Sequence, residues 1–85
     1  MPRNLITVVP RRFALPTQAN RGARELVIRS LHDRYRPRTF DDGSIQIDFP
    51  KSVGRAAARA RVVEELDRLE PRWQRLFVIY PRLGD

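Results

Sequence analysis

Residues 38–49 read RTFDDGSIQIDF, and this stretch decides the fold of the chain. An Asp-Gly pair between two runs of alternating residues is the strongest short-range signal for a β-hairpin. In the second run Ile45, Ile47 and Phe49 share one side of the strand, because successive side chains point to opposite faces. The stretch therefore predicts two antiparallel strands joined by a turn at residues 41–43.

A strand and a helix are predicted before the hairpin. Residues 5–9 form a β-branched run that is typical of a strand. A helical pattern then covers residues 17–36, with Thr17 or Asn20 as the N-cap and with Pro37 ending it. One face of this helix is expected to pack on the core, and its members are Ala19, Ala23, Leu26, Val27, Ser30 and Leu31.

A second helix and a last strand are predicted after the hairpin. Ser52 is expected to cap a helix over residues 52–70, and Glu64 and Arg68 are expected to form an ion pair on its solvent side. A short turn with Trp73 and a strand over residues 76–80 follow. The apolar stripe of the helix contains Ala58, Val62, Leu66 and Leu69, extended by Val63.

The predicted order is β-α-β-β-α-β within a single domain of residues 1–85. This order indicates an α+β fold of the ferredoxin-like split βαβ type. Right-handed crossovers would place both helices on one face of a four-stranded antiparallel sheet, with the first and third strands at its centre. The alternative is an α+β fold whose hairpin lies outside the main sheet. A winged helix is disfavoured, since the hairpin separates the two helices.

The face of the sheet away from the helices is expected to carry an apolar patch. The runs at residues 5–9 and 76–80 are apolar on both sides, although the third strand places Gln46 and Asp48 opposite its apolar residues. Exposed apolar patches usually mark an interface. The pattern predicts a homodimer, unless loops or a terminal tail cover the patch.

The charge is strongly positive and unevenly distributed. The chain carries a net charge of +7, and Lys51 is its single lysine among 17 basic side chains. A GC-rich genome, of a bacterium or of a phage, would account for this preference for arginine. The excess lies in residues 1–38, where only Glu25 and Asp33 oppose the arginines, and this asymmetry favours an acidic partner for that half.

Several functional classes have little support in the sequence. The chain has one histidine and no cysteine, so no zinc site of the usual kind and no cofactor is expected. Asp41 and Asp42 are interpreted as turn residues, and no nucleophile lies near a base in a motif, so we expect no enzyme. The apolar runs are too short for a membrane span or a signal peptide, which predicts a soluble cytoplasmic protein.

The candidate binding residues form three groups: an anion pocket of Arg11, Arg12 and Arg21 at the start of the first helix, a basic stripe along that helix, and a cluster at residues 34–38 at its end. Arginine presents a planar set of donors suited to phosphate, and a helix N-terminus attracts anions. The alternative interpretation is structural: a solvated charged face, cations that offset the helix dipole, and a tyrosine that closes the core. The candidate anion ligands are Arg11, Arg12, Arg21, Arg24, Arg29, His32, Arg34, Arg36 and Arg38, with Ile28 and Tyr35 as anchors for a partner.

These patterns predict a small non-enzymatic basic binding module that acts on an acidic partner. The favoured partner is the phosphate backbone of nucleic acid. The alternative is a small regulator, bacterial or phage-encoded, that docks on an acidic host protein. An RNA-recognition motif is disfavoured, because its third strand carries stacking aromatic residues where this chain has Gln46 and Asp48.

Overall fold

The structure is a computed structural model, and it describes residues 4–12 and 17–82. This part of the chain forms four strands and two long helices. The order is β-α-β-β-α-β, as predicted. The elements are β1 (Asn4–Pro10), α1 (Gln18–Tyr35), β2 (Arg38–Thr39), β3 (Ile45–Phe49), α2 (Arg55–Leu69), a 3₁₀ turn (Trp73–Arg75) and β4 (Phe77–Tyr80).

The strands form one antiparallel sheet in the order β2-β3-β1-β4. This order confirms the ferredoxin-like split βαβ prediction, with β1 and β3 at the centre. The β2–β3 hairpin belongs to the same sheet, so the alternative with a detached hairpin is wrong. Among the described helices, none combines the length and apolar character needed to cross a membrane.

The turn between β2 and β3 depends on Gly43 and Asp42. Gly43 has a φ of 87°, a conformation that glycine adopts without steric cost. Its N–H donates to the Phe40 carbonyl at 3.0 Å, and the Phe40 N–H donates to the Ser44 carbonyl at 2.9 Å. The Ser44 N–H donates to Asp42 Oδ1 at 2.8 Å. This hydrogen bond from Ser44 holds the pKa of the Asp42 carboxyl below its usual value and supports the interpretation of Asp42 as a turn residue.

The core lies between one face of the sheet and both helices. Alternate residues of β1, β3 and β4 point to that face, as the period of two requires. Both helices therefore cover the same side, as predicted. The buried side chains are Ile6, Val8, Ile45, Ile47, Phe49, Phe77 and Ile79 from the sheet, Val27, Leu31, Ala58, Val62 and Leu66 from the helices, and Trp73 and Leu76 between them.

The buried face of α1 differs from the prediction. Thr17 does cap the helix, since its Oγ1 accepts a hydrogen bond from the Asn20 N–H at 3.1 Å. The buried residues, however, are Val27 and Leu31, whereas Leu26 is 49% exposed and Ile28 packs partly on the core. At ~100° per residue, Ile28 lies closer than Leu26 to the direction shared by Val27 and Leu31. The predicted core position of Leu26 was wrong.

The start and the charges of α2 also differ from the prediction. Gly54, rather than Ser52, is the N-cap, and no side chain caps this helix. Arg68 pairs with Glu65, which is only 6% exposed, and not with Glu64. Glu65 lies on the side of α2 that faces α1, where Ser30 also donates to it at 3.1 Å. The ion pair with Arg68 lies within α2, whereas the hydrogen bond from Ser30 joins the Glu65 carboxylate to α1.

Candidate anion-binding site

The predicted basic stripe of α1 is divided by the fold. Arg21, Arg29 and His32 are exposed, as expected for a contact surface. Arg24 is half-buried, and its Nη2 donates to the Arg11 carbonyl at 3.1 Å. Ile28 packs on the core edge, which accounts for an apolar residue in this stripe without any partner.

The C-terminal end of α1 is tied to α2 through Glu65. Arg34 Nη1 lies 3.6 Å from Glu65 Oε2, and Arg68 pairs with Oε1 of the same carboxylate. The surrounding groove has a volume of about 400 Å³ and contains both of these arginines together with Arg61 and Glu64. Since the carboxylates offset much of the positive charge here, Arg34 is placed mainly as a link between the helices.

The end of α1 and the start of β2 bring Tyr35, Arg36 and Arg38 to the edge of the sheet face that lies away from the helices. Arg36 has a φ of 50° and ends the helix, with its N–H donating to the His32 carbonyl at 3.2 Å. Arg36 and Arg38 line a shallow cavity of about 560 Å³ together with Tyr35 and Asp48. The predicted cluster at residues 34–38 is therefore split, with Arg34 turned to the helices and Arg36 and Arg38 turned to the sheet.

His32 and Tyr35 make local contacts. His32 Nε2 lies 3.2 Å from Thr39 Oγ1, which connects α1 to β2. The Tyr35 ring packs against Phe49 with centroids 5.5 Å apart and planes tilted by 56°. Tyr35 thus closes the edge of the core, the structural role considered for it in the sequence.

The two arginines after β1 point in different directions. Arg12 is exposed, and its charge makes a small contribution to the lowered pKa of Asp42, after the larger effect of the Ser44 hydrogen bonds. Arg11 instead lies beside the residues that precede β4, because its backbone N–H donates to the Leu76 carbonyl at 2.8 Å. The predicted pocket of Arg11, Arg12 and Arg21 is not assembled by the described residues, and the Thr17 hydroxyl occupies the first turn of α1.

Arg11 belongs to a cavity along β4 that the sequence did not indicate. This cavity, of about 350 Å³, contains three arginines: Arg11, Arg59 and Arg82. Within the described ranges, no Asp or Glu lines it. We call it the β4 arginine cavity, and its other lining residues are Trp73, Gln74, Phe77, Val78 and Ile79.

The guanidinium groups of this cavity are held by backbone carbonyls. Arg11 Nε donates to the Gln74 carbonyl at 2.7 Å, and Arg59 Nε donates to the Pro81 carbonyl at 3.0 Å. The guanidinium carbon of Arg82 lies 5.6 Å from the centroid of the Tyr80 ring, a cation–π contact. Since Arg11 and Arg59 form these hydrogen bonds through Nε, their terminal Nη groups stay available to bind oxygen atoms of an anion.

The aromatic and polar neighbours fix the floor of this cavity. Trp73 is buried, and its indole N–H donates to Asp67 Oδ1 at 2.6 Å. Phe77 and Ile79 are core residues of the adjoining strand. A site whose arginines are held by such rigid surroundings loses little side-chain freedom when an anion binds.

Arg59 and Arg82 were missed by the analysis of the sequence. The other candidates lie where basic residues outnumber acidic ones, whereas the charges of residues 39–85 as a whole are balanced. The available signal was the position of Arg59 in α2. It directly follows Ala58, which is buried, and it is itself half-buried. An arginine so close to the core face of a helix extends its stem over apolar surface and presents its charge at the rim.

The part of the chain that the structure describes contains no group of three or more His, Asp or Glu side chains that could hold a metal ion. The comparisons with known proteins add no further information. The chain matches no protein-family model, no curated protein and no solved structure.

Proposed function

We propose that this protein is a small non-enzymatic binding module for the phosphate backbone of nucleic acid. The chain has a net charge of +7. Within residues 4–12 and 17–82, the ion pairs use only Arg34 and Arg68, and both pairs use Glu65. The remaining described arginines form no ion pair with another described residue, and we propose that some of them bind an external anion.

The observation that carries this proposal is the β4 arginine cavity. Three arginines line one small cavity to which the described chain contributes no carboxylate. Like charges gathered in this way repel one another, and a bound anion relieves that repulsion. Arginine with its Nε already bonded presents its Nη groups to phosphate oxygens.

The exposed arginines of α1 are proposed as additional contacts to the backbone. Arg21 and Arg29 are exposed and form no ion pair within the described residues. Glu25 and Asp33 are also exposed on this helix, which makes α1 a weaker anion surface than the β4 arginine cavity. Exposed contacts of this kind raise the rate of association and contribute most at low salt.

A salt titration of duplex DNA binding tests the proposal. In the wild type, the logarithm of the association constant should fall linearly with the logarithm of the salt concentration. The double variant Arg59→Gln/Arg82→Gln should bind more weakly and should flatten this slope by about two units, because two phosphate contacts are lost. Thermal unfolding of the variant checks that the loss of the Arg59 bond to Pro81 has not unfolded the chain.

The matched control removes the same charge elsewhere. Arg55→Gln/Arg61→Gln changes two exposed arginines of α2 that lie outside the β4 arginine cavity. Its salt slope should stay closer to that of the wild type. If both double variants weaken binding equally, the cavity is not the site. If the wild-type protein does not bind DNA or RNA at low salt, the proposed function is wrong.

An acidic protein partner is the second candidate, and the position of β4 favours it. β4 is an edge strand that pairs only with β1 among the described strands. An extended acidic segment could pair with that edge and place carboxylates beside the three arginines. If an acidic protein is the true partner, added oligonucleotides should leave the Kd of that complex unchanged. If the protein is a nucleic-acid module, added oligonucleotides should displace the acidic protein.

A further inference from the structure

The open face of the sheet carries a row of side chains that crosses all four strands. The strand register places Arg38 opposite Gln46, Gln46 opposite Thr7, and Thr7 opposite Tyr80. These residues alternate with buried ones, so they lie on the face away from the helices. With strands ~4.8 Å apart, the row is ~14 Å long.

Positive charge lies at both ends of this row, and the centre has little. Arg38 and its neighbour Arg36 border one edge, in the cavity beside Leu5 and Asp48. Arg82 borders the other edge and also belongs to the β4 arginine cavity. The middle positions are the neutral Gln46 and Thr7, and the carboxylate of Asp48 disfavours phosphate near the centre. Phosphates are therefore favoured at the two edges and uncharged groups between them.

The β4 end of the row has an aromatic surface. Tyr80 is 45% exposed, and the Arg82 guanidinium lies over its ring at 5.6 Å. Leu5, on the same face, is also 45% exposed. A nucleobase can stack on tyrosine or on a guanidinium plane, and it covers apolar surface as it does so.

We propose that the open face binds single-stranded nucleic acid, with bases over Tyr80 and Leu5 and with phosphates at the arginines of both edges. This inference rests on the proposed function and specifies its substrate class. A duplex keeps its bases stacked inside and offers only its backbone and groove edges, so Tyr80 would have no base to stack on. A single strand exposes its bases, and the amide of Gln46 and the hydroxyl of Thr7 can bond to their edges.

The test measures binding of two fluorescent probes. One is single-stranded oligothymidylate, and the other is the duplex that it forms with oligoadenylate. Tyr80→Ala should weaken binding to the single strand about tenfold, which corresponds to ~1.4 kcal/mol, and should weaken duplex binding by a smaller factor, since the duplex loses only the contact between the ring and Arg82. Tyr80→Phe should retain single-strand binding, because the ring is kept. Leu26→Ala is the control, since Leu26 is 49% exposed on α1, away from the sheet.

The outcomes separate this inference from the proposed function. If Tyr80→Ala leaves single-strand binding unchanged while Arg59→Gln/Arg82→Gln weakens it, the proposed function stands and the open-face site is wrong. If the wild type binds neither probe, both are wrong. Light scattering adds a further check. The wild type could form a dimer that persists when the oligonucleotide is added but dissociates in Tyr80→Ala. This result would show that a second copy covers this face, and it would overturn the inference.

Discussion

Replacing Glu65 with glutamine should destabilise the protein by about 2 kcal/mol. The carboxylate accepts a hydrogen bond from Ser30 Oγ at 3.1 Å and pairs with Arg34 and Arg68. A hydrogen bond to a charged group contributes ~1.5–3 kcal/mol, but an exposed ion pair contributes at most ~1 kcal/mol. The Arg34 and Arg68 side chains are 61% and 63% exposed, whereas that of Glu65 is 7% exposed. The expected loss in the free energy of unfolding therefore lies near the lower end of the range for a hydrogen bond to a charged group.

Glu64→Gln is the matched control, because Glu64 is exposed and adjacent on the same helix. Urea unfolding of both variants gives the difference in free energy. For a domain of this size, ~2 kcal/mol also corresponds to a fall of about 10 °C in Tm. The control should change the free energy of unfolding by less than ~0.5 kcal/mol, as surface substitutions usually do. Equal losses in the two variants would show that Glu65 does not hold the helices together.

Three further changes test other parts of the fold. Ile79 is 2% exposed, so Ile79→Lys should abolish the folded circular dichroism spectrum, whereas Leu5→Lys on the open face should not; a folded Ile79→Lys chain would contradict the core. Arg36→Gly should raise the unfolding midpoint by the equivalent of ~1 kcal/mol, because glycine adopts a φ of 50° without strain, and a lower midpoint would contradict this. The pKa of Asp42 in the folded protein is lowered from 3.8, so its contribution to stability is complete above that value and is lost as the pH falls through the folded-state pKa. Asp42→Ala should therefore be less stable than the wild type at neutral pH and equal to it in strong acid; a difference unchanged by acid would refute this.

The fold was predictable because local signals and long-range pairing agree. The Asp42-Gly43 turn fixes the hairpin register, and the alternation of Ile45, Ile47 and Phe49 shows which face is buried. Once the hairpin separates two βαβ halves, right-handed crossovers leave one arrangement for the helices. The turn and the alternation each involve residues that are close together in the chain, so both can be recognised from the sequence alone.

The orientation of α1 was less predictable. Its apolar residues include both Leu26 and Ile28, which point in directions ~160° apart around a helix, so the sequence allowed two rotations about the helix axis. The structure selects the rotation that buries Val27 and Leu31. That selection depends on the shape of the sheet surface, which is a property of distant residues.

The candidate site was the least predictable part. Arg11, Arg59 and Arg82 are far apart in the sequence, and two of them lie in its electrically balanced half. They come together because the antiparallel pairing of β1 and β4 brings residue 11 beside residue 76, while Arg59 bonds to the chain just after β4. Only the topology places these residues together.

A codon bias toward arginine would account for the identity of the basic residues but not for their arrangement. A bias toward arginine codons replaces lysine wherever a cation is tolerated, so it predicts arginines scattered among carboxylates. The groove at Glu65 fits that expectation, because acids and arginines are mixed there. The β4 arginine cavity does not fit it, because three arginines converge where the described chain supplies no carboxylate. Backbone carbonyls hold two of these arginines, and a bound anion would relieve the repulsion among the three like charges. A matched substitution of Arg59 and Arg82 by lysine separates the two explanations. If codon bias alone placed arginine there, lysine should bind nucleic acid equally well. If the planar Nη groups bind phosphate, the lysine variant should bind more weakly at equal net charge.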